Sequence, residues 1–298
     1  MMARADDDCW DLASGVGATA TAVAASRALA NRAGLIDDAW AEPLVRAVGM
    51  EHFQELLDAP ETSDDVQRMV HGMAIRTRYF DDFLRETSHV TDIRQTVILA
   101  SGLDARGYRL PWPAGTVVFE VDQPGVIDFK VSALQSLGAR PTAEVRNVGV
   151  DLREDWPAAL AAHGFDPGRP TAWIAEGLLI YLPPDAQDRL FDHITALSPA
   201  GSRLATEFMP AMDAFTDPPA DGDEPGADRW RRLGFHDNLA GLVYVGERSH
   251  VIDYLRRLGW QVSGSGIEEL FAANGFEHHD DEMTEKFAGF QYLTATLA

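Results

Sequence analysis

The apolar positions of the chain change period near residue 95. Before it they recur at helical spacing: Val66, Met69, Val70, Met73, Phe80 and Leu84 fall three, four or seven residues apart and predict one buried helical stripe within residues 66–85. Beyond it come short β-rich runs at residues 96–100, 116–121, 143–150, 171–175 and 202–208. Helical segments separate them, one over residues 126–137 and one after Pro183-Pro184 with Leu190, Phe191, Ile194 and Leu197 on one side. Proline suits a first helical turn. Strands that alternate with helices predict a parallel sheet covered on both faces. Two further strands are expected at residues 260–262 and 289–297, after a helix that Ser249 would cap and that buries Ile252, Leu255 and Leu258. The first 92 residues form a helical unit and residues 93–298 the sheet-bearing one.

Residues 209–247 interrupt this alternation. The stretch from Asp217 to Gly226 is too acidic and too rich in proline and glycine to be core. Trp230, Leu233, Phe235, Leu239, Leu242 and Tyr244 are apolar enough to cover something, so the segment is expected to be a lid.

Charge narrows the possible partners. The 298 residues carry 25 Lys plus Arg against 47 Asp plus Glu, a net charge of −22, and no basic patch stands apart from the acids. Such a field repels phosphate backbones, which argues against a nucleic-acid partner. With one cysteine, Cys9, an intramolecular disulfide or a cysteine-based zinc site is excluded. The N-terminus has three successive aspartates where an export signal needs positive charge, and the alanine-rich stretch 16–30 lacks the strongly apolar residues of a membrane span. A cytoplasmic protein without a membrane partner is expected.

Candidate chemistry sits at the ends of the predicted strands: Gly102, Asp122, Asp151 and Glu176. In an open parallel sheet the carboxyl ends of the strands line one crevice, where ligands bind. A glycine after the first strand, followed 20 residues later by an acid after the second, lets a backbone approach a nucleoside while a carboxylate accepts from its ribose hydroxyls. Glu120 competes with Asp122 for that role, and Asp122, at the terminus, is the better placed. The turn Ser101-Gly102-Leu103-Asp104-Ala105-Arg106-Gly107 lacks the G-x-G-x-x-G pattern, Asp104 would repel a pyrophosphate, and Pro111 curtails any helix on which one could rest. A nucleoside without phosphates fits better than a dinucleotide, which disfavours a nucleotide-binding oxidoreductase. Arg76 interrupts the apolar stripe of its helix and must find a partner, because an unpaired buried charge is costly. That partner is either a protein carboxylate or the carboxylate of a ligand. Arg78 points elsewhere and is expected in solvent.

Four motifs in order carry a family resemblance: residues 100–110 (ASGLDARGYRL), 119–124 (FEVDQP), 150–153 (VDLR) and 175–182 (AEGLLIYL). Together with residues 74–78 (AIRTR) and 246–248 (GER), they resemble the actinobacterial S-adenosyl-L-methionine-dependent methyltransferases related to leucine carboxyl methyltransferases and polyketide O-methyltransferases. The resemblance implies an α/β fold of the class I methyltransferase type: a Rossmann-like, seven-stranded, mostly parallel sheet with an antiparallel final strand, an N-terminal helical cap and a lid insertion. It implies S-adenosyl-L-methionine as cofactor. By position, Gly102 would approach its methionine part, Asp122 accept from its ribose, Asp151 and Leu152 contact its adenine, Arg76 pair with its carboxylate and Glu176 lie near its amino group. Arg27 is a further candidate contact or else a solvated helix residue. Ser101 departs from the small apolar residue or glycine expected before Gly102.

The reaction implied is O-methylation of a small-molecule acceptor. Methyl transfer from a sulfonium is an in-line displacement in which the protein chiefly positions the reactants and excludes water. A carboxylate acceptor is already ionised at neutral pH, whereas a phenol or polyketide hydroxyl needs a base, for which His236 and His250 are candidates. The carboxylate of a small organic acid is the expected acceptor, paired with Arg229, Arg231, Arg232 or Arg248 turned inward. A catalytically idle ligand-binding protein would keep the sheet and the cofactor without turnover.

Overall fold

The computed structural model describes residues 12–59, 63–209, 242–244, 246–277 and 289–298. Cys9 and most of the expected lid, including Trp230, Phe235, His236, Arg229, Arg231 and Arg232, lie outside the described residues. Four helices come first: α1 (Gly15–Arg32), α2 (Ala41–Val48), α3 (Glu51–Asp58) and α4 (Asp64–His89). In α1 the fully buried positions are small, among them Ala22, Ala24, Ala25, Ala28 and Ala30, so α2 and α4 can approach its backbone closely. Helix α4 extends further at both ends than its apolar stripe predicts. Its start is set by Ser63, whose hydroxyl accepts from the Val66 backbone N–H. No helix among the described residues is long and apolar enough to cross a membrane.

The strands are β1 (Gln95–Leu99), β2 (Val117–Asp122), β3 (Glu144–Gly149), β4 (Thr171–Ala175), β5 (Arg203–Phe208), β6 (Trp260–Gly266) and β7 (Gln291–Leu297). They form one sheet in the order β3-β2-β1-β4-β5-β7-β6. The first five strands run parallel, and β7 is antiparallel to both β5 and β6. Strands β1 and β4 are buried at every residue, as continuous apolar runs in a doubly covered sheet should be. The order reverses between them, which opens a crevice beyond their carboxyl ends.

Helices α5 (Arg106–Arg109), α6 (Pro124–Ser136), α7 (Trp156–Ala162), α8 (Pro184–Ala196), α9 (Val251–Arg257) and α10 (Ile267–Ala273) connect the strands, with a 3-10 turn at Leu179–Tyr181. Helix α5 is a single turn, as Pro111 requires. One core cluster joins Phe119, Trp156, Phe165, Trp173 and Phe191. On another, Phe80, Phe83 and Leu84 of α4 pack with Ile98, Val118, Ile174 and Tyr292 of the sheet. A third cluster links Leu44, Phe53 and Leu57 of the first helices to Leu103, Val126 and Leu134. The N-terminal helices are thus joined by apolar contact to the loop after β1 and to α6.

Three local expectations are corrected. Ser249 does not cap α9: the helix starts after His250, and the Ser249 hydroxyl donates to Asp188 instead. Strand β6 runs on to Gly266 and leads directly into α10, which no apolar period announced. Arg78 is not solvated. It donates to the Leu35 carbonyl and to Asn274 Oδ1 and lies over the Phe276 ring, tying α4 to the end of α10.

Candidate active site

Beyond the carboxyl ends of β1, β2 and β4 lies a cavity of about 1040 Å³, walled by α1 and α4 on one side and the strand loops on the other. Arg76, Gly102, Asp122, Asp151, Leu152 and Glu176 all line it, as do Arg27, Asp104 and Glu207. His250 does not. It is exposed at the start of α9, its ring edge-on to Phe208 and its Nδ1 3.6 Å from Asp253.

The loop after β1 is shaped by two residues with positive φ, Ala100 at 51° and Gly102 at 44°. Alanine in that region costs about 1–2 kcal/mol, so the surroundings must hold it there. At Gly102 a Cβ would come within 3.2 Å of the Ala20 Cβ of α1. The glycine therefore serves both the turn and the close approach of the helical layer. From below, the fully buried Lys130 ammonium donates to Ser101 Oγ at 3.0 Å and to the Asp104 carbonyl at 3.2 Å, and pairs with Glu120 Oε2 at 2.8 Å. Ser101, the departure from the family pattern, is thus an acceptor for a buried lysine. Glu120 is fully buried beneath the loop, where burial pushes its carboxyl up and Lys130 only partly offsets this. Asp122, not Glu120, faces the cavity.

Asp122 accepts from the Gly102 N–H at 2.6 Å and the Gln123 N–H at 2.7 Å. Burial pushes its carboxyl up despite these two bonds. Each oxygen keeps a lone pair for another donor. Asp151 is more fully engaged: Arg153 donates from its backbone N–H, Nε and Nη2, and Gln123 from its amide. Those bonds hold its carboxyl below the ordinary range against the pull of burial.

The sequence reading missed an ion-pair network. Arg76 meets a protein carboxylate: its Nε and Nη2 donate to Glu207 at 2.8 and 2.5 Å, and its Nε is 3.5 Å from Glu176. Glu207 also accepts from the Gly177 N–H at 2.8 Å, and a Cβ at Gly177, where φ is +64°, would press to 2.7 Å from Arg76 Nη2. The buried Arg106 donates to Glu176 at 2.8 Å and to Asp81 at 2.7 Å, and pairs with Asp104. Arg109 makes a two-pronged contact with Asp81, and Arg27 joins Asp38 while donating to the Leu103 carbonyl. Arg27 is therefore buried and paired rather than solvated. Strand-end position alone would have found Glu207. Arg248 is not turned toward a ligand: it donates to the carbonyls of Leu179, Leu182 and Tyr244, clamping the 3-10 turn to the chain before α9.

Glycine-shaped backbone, a carboxylate with lone pairs to spare and a cavity at the upper end of the usual size for small-molecule sites fit a nucleoside-bearing cofactor. The strand order with its antiparallel β7 is that of the class I methyltransferases. Comparison with known proteins agrees. Residues 20–195 match the family model "Leucine carboxyl methyltransferase". A protein of Mycobacterium avium (strain 104) described as "Putative S-adenosyl-L-methionine-dependent methyltransferase" is 56% identical over 298 residues, covering 95% of this chain and 97% of its own. One of the same description from Mycobacterium sp. (strain JLS) is 55% identical over 302 residues, covering 99% of both. The crystal structure of a DUF574 family protein from Streptomyces avermitilis shares the fold, with a TM-score of 0.52 at 14% identity over 86% of this chain and 96% of that one. The chain belongs to the leucine carboxyl methyltransferase family, a family of S-adenosyl-L-methionine-dependent methyltransferases.

Proposed function

We propose that the chain transfers the methyl group of S-adenosyl-L-methionine to the carboxylate of a small organic acid. One observation carries the placement of the donor: Asp151 after β3, Asp122 closing β2, Gly102 after β1 and Glu176 after β4 line one cavity in the spatial order of their strands. Adenine, ribose and methionine follow one another in the same order along the cofactor. Asp151 and Leu152 then contact the adenine, Asp122 accepts from the ribose hydroxyls, Gly102 passes close to the methionine part and Glu176 receives its ammonium. For Arg76 to hold the cofactor carboxylate, it must use the edge that Glu207 leaves open or exchange partners.

When bound, the cofactor supplies an electrophilic methyl on a sulfonium. The residues around it need only orient the acceptor and keep water out. Leu178, Leu182 and Leu190 provide apolar wall on the β4 side, where the acceptor would lie. A carboxylate acceptor requires no base; of the histidines, His250 stands outside the cavity and His193 of α8 lines it, so His193→Ala should leave turnover of an acid intact.

Incubation with S-adenosyl-L-methionine labelled in the methyl group and panels of carboxylic acids and phenols tests this. Labelled product should form with the acids, and mild alkali should release the label as methanol, the mark of an ester. An alkali-stable label on a phenol would move the reaction to hydroxyl methylation.

A further inference from the structure

Glu207 has no role in the donor placement above, yet it lines the same cavity and holds the Arg76 fork. Arg76 sits between two carboxylates, with Glu207 and Glu176 side chains only 11% and 12% exposed. Along the contiguous buried ion pairs, the guanidinium groups of Arg27, Arg76, Arg106 and Arg109 face the carboxylates of Asp38, Asp81, Asp104, Glu176 and Glu207, and the half-exposed Arg85, 3.9 Å from Asp81, is matched by the exposed Asp82. One negative charge is left over. A surplus charge held out of water is costly unless something of opposite sign arrives, and the open side of this network is the cavity.

We infer that Glu207 is a specificity-determining residue: its charge sets the cavity's preference for the cationic methyl donor over the neutral product. The inference rests on the reading that this cavity holds S-adenosyl-L-methionine. The donor bears a sulfonium and an ammonium against one carboxylate. Transfer of the methyl leaves a thioether, so S-adenosyl-L-homocysteine has no net charge. Apolar walls and hydrogen bonds to adenine and ribose treat the two alike, whereas the surplus charge attracts only the donor's extra positive charge. Glu207 therefore favours loading with donor and hastens departure of product. Strand position puts it at the methionine end of the donor, since β5 lies next to β4 and away from the adenine side at β3, so its charge acts on the sulfonium through the cavity rather than by contact.

Isothermal titration of S-adenosyl-L-methionine, S-adenosyl-L-homocysteine and an analogue with an ammonium in place of the methylated sulfur tests this. The proteins to compare are the wild type, Glu207→Gln, Glu207→Asp and Glu144→Gln, the last an exposed carboxylate on β3 paired with Arg146. Wild type should bind both cationic ligands about tenfold tighter than the homocysteine product, equivalent to ~1.4 kcal/mol. Glu207→Gln should bring that ratio close to one, while Glu207→Asp and Glu144→Gln keep it. A merely loosened site would weaken all three ligands by a common factor and leave the ratio unchanged. A Glu207→Gln protein with the wild-type ratio overturns the inference, and so does a wild type that binds the three equally, a comparison that holds even if Glu207→Gln does not fold. A wild type that binds none of them overturns the cofactor reading, and this inference with it.

Discussion

Arg106→Met tests whether the buried network is one coupled unit. Arg106 is 2% exposed and touches Asp81, Asp104 and Glu176. Asp81 retains Arg109 and Glu176 retains Arg76, but Asp104 has no other direct ion pair among those described. Removing one member of a buried ion pair costs about 3–5 kcal/mol, because a charge is left uncompensated. For a chain of this size that is roughly a 10 °C fall in melting temperature. The acid limb gives a second reading. Burial by itself would raise the Asp104 carboxyl, but the charges of Arg106, Arg27 and Arg109 override it and hold the group at about 2, against an ordinary 3.8. A folded-state pKa below the unfolded one means that this stabilisation is full above the ordinary value and is lost as pH falls toward about 2. It amounts to roughly 2 kcal/mol. Without Arg106, burial prevails, the Asp104 pKa rises, and the loss of stability between pH 4 and 2 should flatten. Urea titrations of both proteins at pH 7, 4, 3 and 2 measure it. A loss below about 1 kcal/mol at pH 7 with an unchanged acid limb would refute the coupling.

Three further outcomes follow from the same geometry. Asp122→Ala should weaken S-adenosyl-L-methionine binding about 10- to 100-fold by titration calorimetry, since a charge-assisted bond to a ligand is worth about 1.5–3 kcal/mol, while Glu144→Ala leaves it unchanged. Because burial raises the Asp122 carboxyl and hydroxyl donors need its ionised form, wild-type affinity should fall as pH drops through that raised value, and the fall should be absent in the variant. Arg248→Ala frees three carbonyls of the 3-10 turn and the segment before α9. It should speed amide hydrogen exchange at residues 179–182 with little change in the strands.

The sheet was legible because its strands are short, β-branched and bounded by turn residues, and the ligand-facing positions because strand ends converge by topology. Asp122 could be preferred to Glu120 on the same ground. The network was not legible. Its pairs join residues far apart in the chain, such as Arg106 with Asp81 and Glu176 or Arg76 with Glu207, and no local period links them. Helix α4 adds a second reason. Ala74, Ile75, Thr77, Phe80, Asp81, Phe83, Leu84, Thr87 and Ser88 are all buried, so most of its circumference is covered. With so broad an arc covered, the apolar period does not tell the buried Asp81 from the exposed Asp82 beside it.

That covering also explains how a chain of net charge −22 builds its site from arginines. Arg76 from α4 and Arg106 from the single turn of α5 reach carboxylates at the strand ends, while Arg27 of α1 and Arg109 of α5 pair with Asp38 and with Asp81 of α4, so the four together tie the helical layer to the sheet. Guanidinium suits this use, because its planar fork satisfies two carboxylates at once and stays charged when buried. The cost of desolvating these groups is offset only while α1, α4 and the β1–α5 loop stay in register. Cavity shape and helical packing are consequently one property here: a change that shifts α1 or α4 also moves the charges that face the ligand.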